Sequence, residues 1–512
     1  MSEYLRKGEL LPVKGYDLSI PSIYLKDGYG FPENMHYERG ELRKRDGKSQ
    51  FGQPTPGNKN IIHLSTFPLS TLAINLMAHT ITNILKYNTG ANNWDDITGV
   101  DMTGGATDFL DDCTIPEFDR YIFTNYIDNI RKYDNSGVTL DLGGQPPKAR
   151  YCEYITPYLV IANLNENGLA IPTKIRWADT GKPEVWAGVN SGSQLLTDDA
   201  TPIRRIKKLA GNLFVYKAGM IYRGGLVSTS DVFQFPIHDT SHGLYAPRAL
   251  VEANSGHAYM GNQDFHINNG IRIDDIGGPI REFIFNRLNR SLNETCFALH
   301  VEQYQEVWFF ITVSGQTSPT EIWKYAYQTG FWYKDTINPL LTATNYKIIQ
   351  ALTWDQIPIA WDMYPARWDD ASGQAGSPIQ VFGNNSGLAL YRDATRVDDL
   401  GSVVTAKQET RDYTGLGGDG SVIGIEQDQE WMQVDFWAKG TAVNVFYSTD
   451  FGDNWTFIEK KTLTKIMERH TTFFNIIAPQ VRVKFESPGL NDFFTFRSAI
   501  PYYIGSAEVE KP

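Results

Sequence analysis

Residues 306–332, EVWFFITVSGQTSPTEIWKYAYQTGFW, decide the fold class. Glu306–Val313 and Glu321–Tyr327 are β-branched and aromatic runs separated by a Gly/Ser/Pro loop, a pattern that predicts two antiparallel strands. Gln328-Thr329-Gly330 supplies a tight turn, with glycine where φ must be positive, and Phe331-Trp332-Tyr333 starts a third strand. A short sheet of this kind cannot bury both its faces alone. It needs copies of itself to stack against.

The unit recurs along the chain. NLMAHTITNILKYNTGANNWDDI turns at Gly90, DRYIFTNYIDNIRKYDNSG at Gly137, and YLVIANLNENGLAIPTKIRWADTG at Gly181. NLFVYKAGMIYRGG closes on Gly224, DFHINNGIRI turns at Gly270, the opening stretch at Gly330, and QVFGNNSGLALY at Gly387. Successive marker glycines are 47, 44, 43, 46, 60 and 57 residues apart. A period in the low to middle forties with four short strands per period is the spacing of propeller blades, and the longer late spacings leave room for insertions. The expected fold is all-β: an irregular β-propeller of about six to eight blades over residues 61–396. One insertion is legible near residues 279–290, where Ile280, Phe283, Ile284 and Leu288 share a helical face behind Pro279.

Outside the repeats the texture changes. Residues 1–60 are polar, rich in Gly and Pro, and carry the basic knot Arg43-Lys44-Arg45; they read as a solvated arm available for docking on a neighbour. Residues 397–425 read as a Gly-rich linker, and 426–512 as an appended C-terminal β-sandwich.

The chain has 512 residues, 41% of them hydrophobic, and a formal net charge of −12. That charge argues against a clamp wrapped around nucleic acid, because phosphate binding demands a basic surface. It permits a channel through which DNA slides without sticking. Cys113, Cys152 and Cys296 are odd in number and widely spaced, so they read as reduced core thiols. The start, MSEYLRKGELLPVKG, has no apolar run and no cleavage site, and no stretch reaches membrane-spanning length, so a soluble chain without a signal peptide is expected.

Four constellations invite a chemical reading. Ser448, Asp450, Gly452 and Trp455 match the Asp-box S-x-D-x-G-x-x-W seen in sialidases, where the Asp accepts backbone hydrogen bonds in a hairpin turn and the Trp packs beneath it. It occurs here once, which predicts a structural role. Trp354-Asp355, Trp361-Asp362 and Trp368-Asp369 recur every seven residues; they read as a repetitive turn-rich loop, the alternative being a glycosidase-like acid/base set of Asp355, Asp362 and Asp369. His238 and His242 have metal-ligand spacing but lack a third ligand nearby in sequence, so no metal is expected. Arg204, Arg205, Lys207 and Lys208 form the strongest basic cluster, either a strand start or a contact for phosphates or an acidic neighbour; Arg281, Arg287 and Arg290 pose the same choice. No Walker loop, G-x-S-x-G elbow or HExxH is present, so neither a catalytic centre nor a cofactor is expected.

Taken together, GELRKRDGKSQFG, FTNYIDNIRKYDNSG followed by LDLGGQPPKARY, YLVIANL with IRWADTGKPEVW, and IDDIGGPIREFIF resemble the tail hub or nozzle proteins of short-tailed bacteriophages, also called packaged-DNA stabilisation proteins. The resemblance spans most of residues 38–505 and carries no catalytic residue. It implies an irregular propeller with appended β domains, assembled as a sixfold homo-oligomeric ring in the virion tail after synthesis in the bacterial cytoplasm. Such a ring sits below the portal and its adaptor, continues and closes the DNA channel until ejection, and meets fibre or needle proteins. A glycan-binding or sialidase-like propeller is the alternative from the Asp-box and the Trp-Asp run. A kelch- or WD-type interaction scaffold is the second, and the irregular spacings speak against it.

Overall fold

The computed structural model describes residues 6–7, 14–25, 30–105, 107–227, 232–347, 378–414 and 428–505. The Trp-Asp run therefore lies outside the described residues.

The opening stretch forms Glu306–Ile311, Glu321–Ala326 and Phe331–Thr336, which follow Phe297–Val301 in one antiparallel four-stranded blade. Every residue of Glu306–Ile311 is buried. That explains why the strand reads as a continuous apolar run: a central blade strand has a neighbouring blade against each face. Six further sheets repeat the pattern. Their first strands, lining the ring axis, are His63–Pro68, Asp111–Ile115, Lys148–Ile155, Ile203–Leu209, Leu250–Ala253 and, after the opening blade, Leu340–Tyr346. We number the blades one to seven in chain order, so the opening stretch belongs to blade six.

Ring closure is visible in the packing. Seven apolar clusters each fill one seam between adjacent blades, from Phe67, Met77 and Tyr121 between blades one and two to Ile61, Leu76, Tyr346 and Val381 between blades seven and one. The last blade also closes covalent order on itself. Leu340–Tyr346, Ile379–Asn384 and Ala389–Asp393 are completed by Gly47–Phe51, which pairs with Ala389–Asp393 from Ser49↔Tyr391 outward. Gly47 passes so near Asp398 that a Cβ would sit 2.1 Å from its carbonyl oxygen, hence glycine.

This corrects the reading of residues 1–60 as an arm. Gly47–Phe51 is a blade strand, Gly30–Glu33 pairs with the outer strand of blade six and with Lys407–Thr410, and Met35–Glu38 and Glu41–Lys44 belong to the C-terminal sandwich. Two of the three residues of the basic knot are spent inside: Arg45 makes a two-pronged contact of 3.0 and 2.7 Å with Asp399, a carboxylate that the nearby Lys48 also reaches at 3.1 Å, and Lys44 Nζ donates to the Asp492 carbonyl; Arg43, partly exposed, pairs with Asp46 at 3.3 Å. The expected linker over 397–425 is corrected for its described part, since Asp398–Asp399, Ser402–Val403, Lys407–Thr410 and Tyr413–Thr414 are all paired strands; residues 415–425 lie outside the described residues.

The C-terminal sandwich packs Gln429–Gly440, Glu468–Ala478 and Phe494–Gly505 against Ala442–Ser448, Thr456–Thr462 and Gln480–Glu486 around Trp431, Phe436, Val445 and Phe485. Its second sheet runs through Lys407–Thr410 and Gly30–Glu33 into blade six, giving one ten-stranded sheet. A buried Lys324, bonded to Asp335 at 2.9 Å and to the Met35 carbonyl at 2.7 Å, pins the junction.

Five marker glycines, Gly90, Gly137, Gly181, Gly270 and Gly330, fall between the third and fourth strands of their blades. Gly224 does not: it lies inside strand Ile221–Leu226, where a Cβ would meet the Phe235 ring at 2.5 Å. Gly387 sits between second and third strands, because blade seven takes its fourth strand from the other end of the chain. The helical insertion is one short helix, Arg281–Phe285. Ile280, Ile284 and Leu288 are buried as expected, whereas Phe283 is 39% exposed and packs on Trp323 and under the Arg287 guanidinium.

Candidate functional site

Side chains alternate between the two faces of a strand, so one row from the first strand of each blade faces the ring axis. These rows meet across it. Arg205 of blade four reaches past blade three to Asp111 of blade two at 2.9 Å. Arg150 of blade three pairs with Glu294, which precedes blade six. Arg248, ahead of blade five, donates through Nη2 to the carbonyls of Ile62 at 3.3 Å and Leu341 at 2.8 Å, on the blade one and blade seven sides, and its guanidinium lies 4.3 Å from the Phe109 ring centre. Adjacent-blade pairs complete the layer: His63 with Asp112 at 2.6 Å and Lys207 with Glu153 at 2.9 Å.

Burial governs the electrostatics of this layer. It raises the Asp111 carboxyl above the usual range even though Arg205 and Lys207 oppose it. For Lys207, burial works toward neutrality, but Glu153, Asp111 and Asp112 together outweigh it and the ammonium is held more firmly charged than usual. Burial pushes the Arg248 guanidinium down to about 9, with Arg205 adding to the effect. Its Nη1 is buried without a hydrogen-bond partner. Arg248 closes the inner end of a cavity of ≈360 Å³ at the mouth of the axis, lined also by Ile62, Phe109, Thr295, Leu341 and Asn385.

The basic cluster, read as either a strand start or an outward contact, lies in strand Ile203–Leu209 and is largely part of the ring. Arg205 and Lys207 hold carboxylates on the axis, Arg204 donates to the Leu244 and Tyr245 carbonyls at 2.7 and 2.9 Å, and the exposed Lys208 touches the Tyr154 carbonyl at 3.4 Å. The axial layer was missed in the sequence, because its partners Asp111, Glu153 and Glu294 lie dozens of residues away. One signal was there: Arg204-Arg205-Ile206-Lys207-Lys208 sits within a strand, and every second side chain must face the axis. Arg281, Arg287 and Arg290 also have partners in the chain, namely Asp264, Glu321 and the Phe285 carbonyl.

The Asp-box forms the hairpin between Ala442–Ser448 and Thr456–Thr462. Asp450 Oδ1 accepts from the Asn454 N–H at 2.9 Å and from Ser448 Oγ at 2.6 Å, and the Gly452 N–H donates to Ser448 Oγ at 2.9 Å. These bonds, Ser448 first, hold the Asp450 carboxyl down at about 2. Trp455 is half-buried beneath the Lys484 ammonium, 4.7 Å from its ring centre. The geometry is that of a turn brace. The two histidines of the HDTSH segment part company: His238 stacks edge-on with Phe214, while His242 turns toward His266 and Asp275.

No protein-family model and no curated protein matches the chain. Among solved structures it is similar to the Neurospora crassa Pan2 WD40 domain, at 8% identity and TM-score 0.39 over 70% of this chain and 97% of that one. It is also similar to BamB from Moraxella catarrhalis, at 8% identity and TM-score 0.34 over 75% and 98%, and to an exo-β-1,3-galactanase from Phanerochaete chrysosporium, at 10% identity and TM-score 0.27 over 90% and 100%. Likenesses this remote carry no functional argument. The propeller rests on the sheets and seams described above.

Proposed function

We infer that this chain is a structural protein of a bacteriophage virion, a tail hub or nozzle subunit that borders the DNA channel below the portal adaptor and keeps it closed until ejection. The observation that carries this reading is the filled axis. With Arg150, Arg205 and Arg248 spanning the ring, a single propeller has no bore for a duplex, so a conduit built from this fold has to lie between copies. A closed ring of about six subunits with a shared lumen meets that requirement. The net charge of −12 suits a lumen wall that repels phosphate and lets DNA pass. Arg45, Lys48 and Lys207, which a DNA-holding wall would display, are instead neutralised in the interior. The adaptor on one side and fibre or needle proteins on the other are the partners this position requires, and the role demands neither catalysis nor a cofactor.

The test is assembly. Mass photometry and cryo-electron microscopy of the purified chain mixed with its adaptor should show a ring of about six copies around an open lumen. A chain that stays monomeric and never joins the adaptor overturns the reading, as does its absence from purified virions.

A further inference from the structure

Two imidazoles and a carboxylate converge at the seam between blades four and five. His242 lies on the connection that follows blade four, His266 on Phe265–Asn268, and Asp275 directly opposite His266 on the neighbouring strand Ile273–Asp275. His242 Nε2, His266 Nδ1 and Asp275 Oδ1 are the atoms that face one another. The first is 3.7 Å and the second 2.8 Å from Asp275 Oδ1. One atom from each residue fits within 4.8 Å of the other two.

The surroundings fix which nitrogen each ring presents. Asp239 Oδ1 lies 3.0 Å from His242 Nδ1 and also accepts the His242 backbone N–H at 2.7 Å, so Nδ1 keeps its proton and Nε2 offers a lone pair. A carboxylate behind a histidine is how protein metal sites orient their ligands. His266 is only 6% exposed, and its Nε2 edge packs so closely on Gly261 that a Cβ there would lie 2.3 Å away. Its Nδ1 edge is the one left facing Asp275.

We propose that His242, His266 and Asp275 bind one zinc ion, with the remaining coordination position open to the adjacent cavity. Zinc–ligand bonds of about 2.0–2.2 Å in a tetrahedral shell place ligand atoms roughly 3.3 Å apart. The observed 2.8 and 3.7 Å bracket that value. Binding replaces the proton shared between His266 Nδ1 and Asp275, and the neutral His266 ring then carries its proton on Nε2. Two nitrogen donors disfavour calcium and magnesium, which take oxygen. The cavity measures ≈730 Å³ and is lined by Asp264, Arg281, Asn286 and Arg290, so the fourth position meets water and polar groups. The ion's purpose follows from its place. Among the described residues, the blade four–five seam holds the smallest of the seven apolar clusters, and a metal bridge would fasten the connection after blade four to the outer strands of blade five.

Isothermal titration of the untagged, chelator-stripped full chain tests this, with Zn²⁺ for affinity and Co²⁺ for its visible absorption. The wild type should bind one ion per chain, show the bands of four-coordinate Co²⁺ and melt at a higher temperature with zinc. Asp275→Ala changes a half-exposed side chain and should keep the metal-free melting temperature. It and His242→Ala should each weaken binding about 100-fold or more, and Asp239→Asn about tenfold. Absence of one-to-one binding by the wild type overturns the proposal; so does affinity within about threefold of wild type in both ligand variants.

Discussion

Blades one to six and blade seven differ in where their strands come from. Each of the first six is a contiguous stretch of chain whose first four strands pair in sequence order, so its order follows from local connections. Blade seven joins three late strands to Gly47–Phe51, and the sandwich beside it joins late strands to Met35–Glu38 and Glu41–Lys44. The local blades are held by apolar seams. The shared region adds a buried charge network in which Asp399 serves Arg45 and Lys48, and Arg392 binds Asp46 at 3.0 Å. The ring is therefore regular wherever sequence order suffices, and where the two ends of the chain have to find each other a second ionic network joins the one on the axis.

The contrast breaks most completely if the early strands are removed. Deleting residues 1–53 takes the fourth strand from blade seven, Gly30–Glu33 from the ten-stranded sheet and three strands from the sandwich, Arg6–Lys7 among them, so the expected product is insoluble or lacks a cooperative melt. A soluble product melting within about 5 °C of wild type would make the clasp dispensable. Next in size is Asp399→Ala, which strands two buried cations; a loss of about 3–5 kcal/mol is expected in chemical denaturation.

Stepped-pH melting separates the two regions. His79, buried in blade one, has its imidazole pushed by burial down to about 3 from an ordinary 6.5. Between those values the unfolded chain binds the proton and the folded chain does not, so stability falls as pH drops, by roughly 5 kcal/mol at most. His79→Gln should flatten this slope. For Asp399 burial acts to raise the carboxyl, but Lys48 and Arg45 hold it well below the usual 3.8. Its contribution is complete above that value and disappears only as pH falls toward the folded one. The blades should thus weaken before the clasp, and a single simultaneous acid transition that His79→Gln leaves unmoved would erase the distinction. The smallest effect is expected at the Asp-box: Gly452→Ala forces a side chain into φ +95° and within 2.7 Å of Arg482 Nη1, for about 1–2 kcal/mol.

How much of this was legible follows the same division. Glu306–Ile311 and its hairpins could be read because pattern and partner lie within thirty residues, and Gly137, Gly181, Gly270 and Gly330 mark equivalent turns because each needs positive φ. Gly47–Phe51 could not: GKSQF carries three polar residues in a row and one apolar side chain, and its partner lies at the far end of the propeller. The helix was placed correctly through Ile280 and Ile284, yet Phe283 escaped its face because the helix ends after barely more than a turn. Of the HDTSH segment only His242 entered the metal cluster. His266 and Asp275 were invisible as its partners, since their approach is a product of blade pairing.

The strand that seals blade seven sets an order of events in time. Ser49 leaves the ribosome 344 residues ahead of Asp393, with which its hydroxyl bonds in the finished ring. At about 5–20 residues per second, translation leaves that edge unpaired for tens of seconds while six blades are made beside it. Lys48 and its polar neighbours Ser49 and Gln50 keep the waiting strand a poor template for other nascent chains. Ring completion then waits for the seventh blade, ahead only of the sandwich strands that follow it, and newly made chains are most open to aggregation, or to lending this strand to a neighbour, just before it.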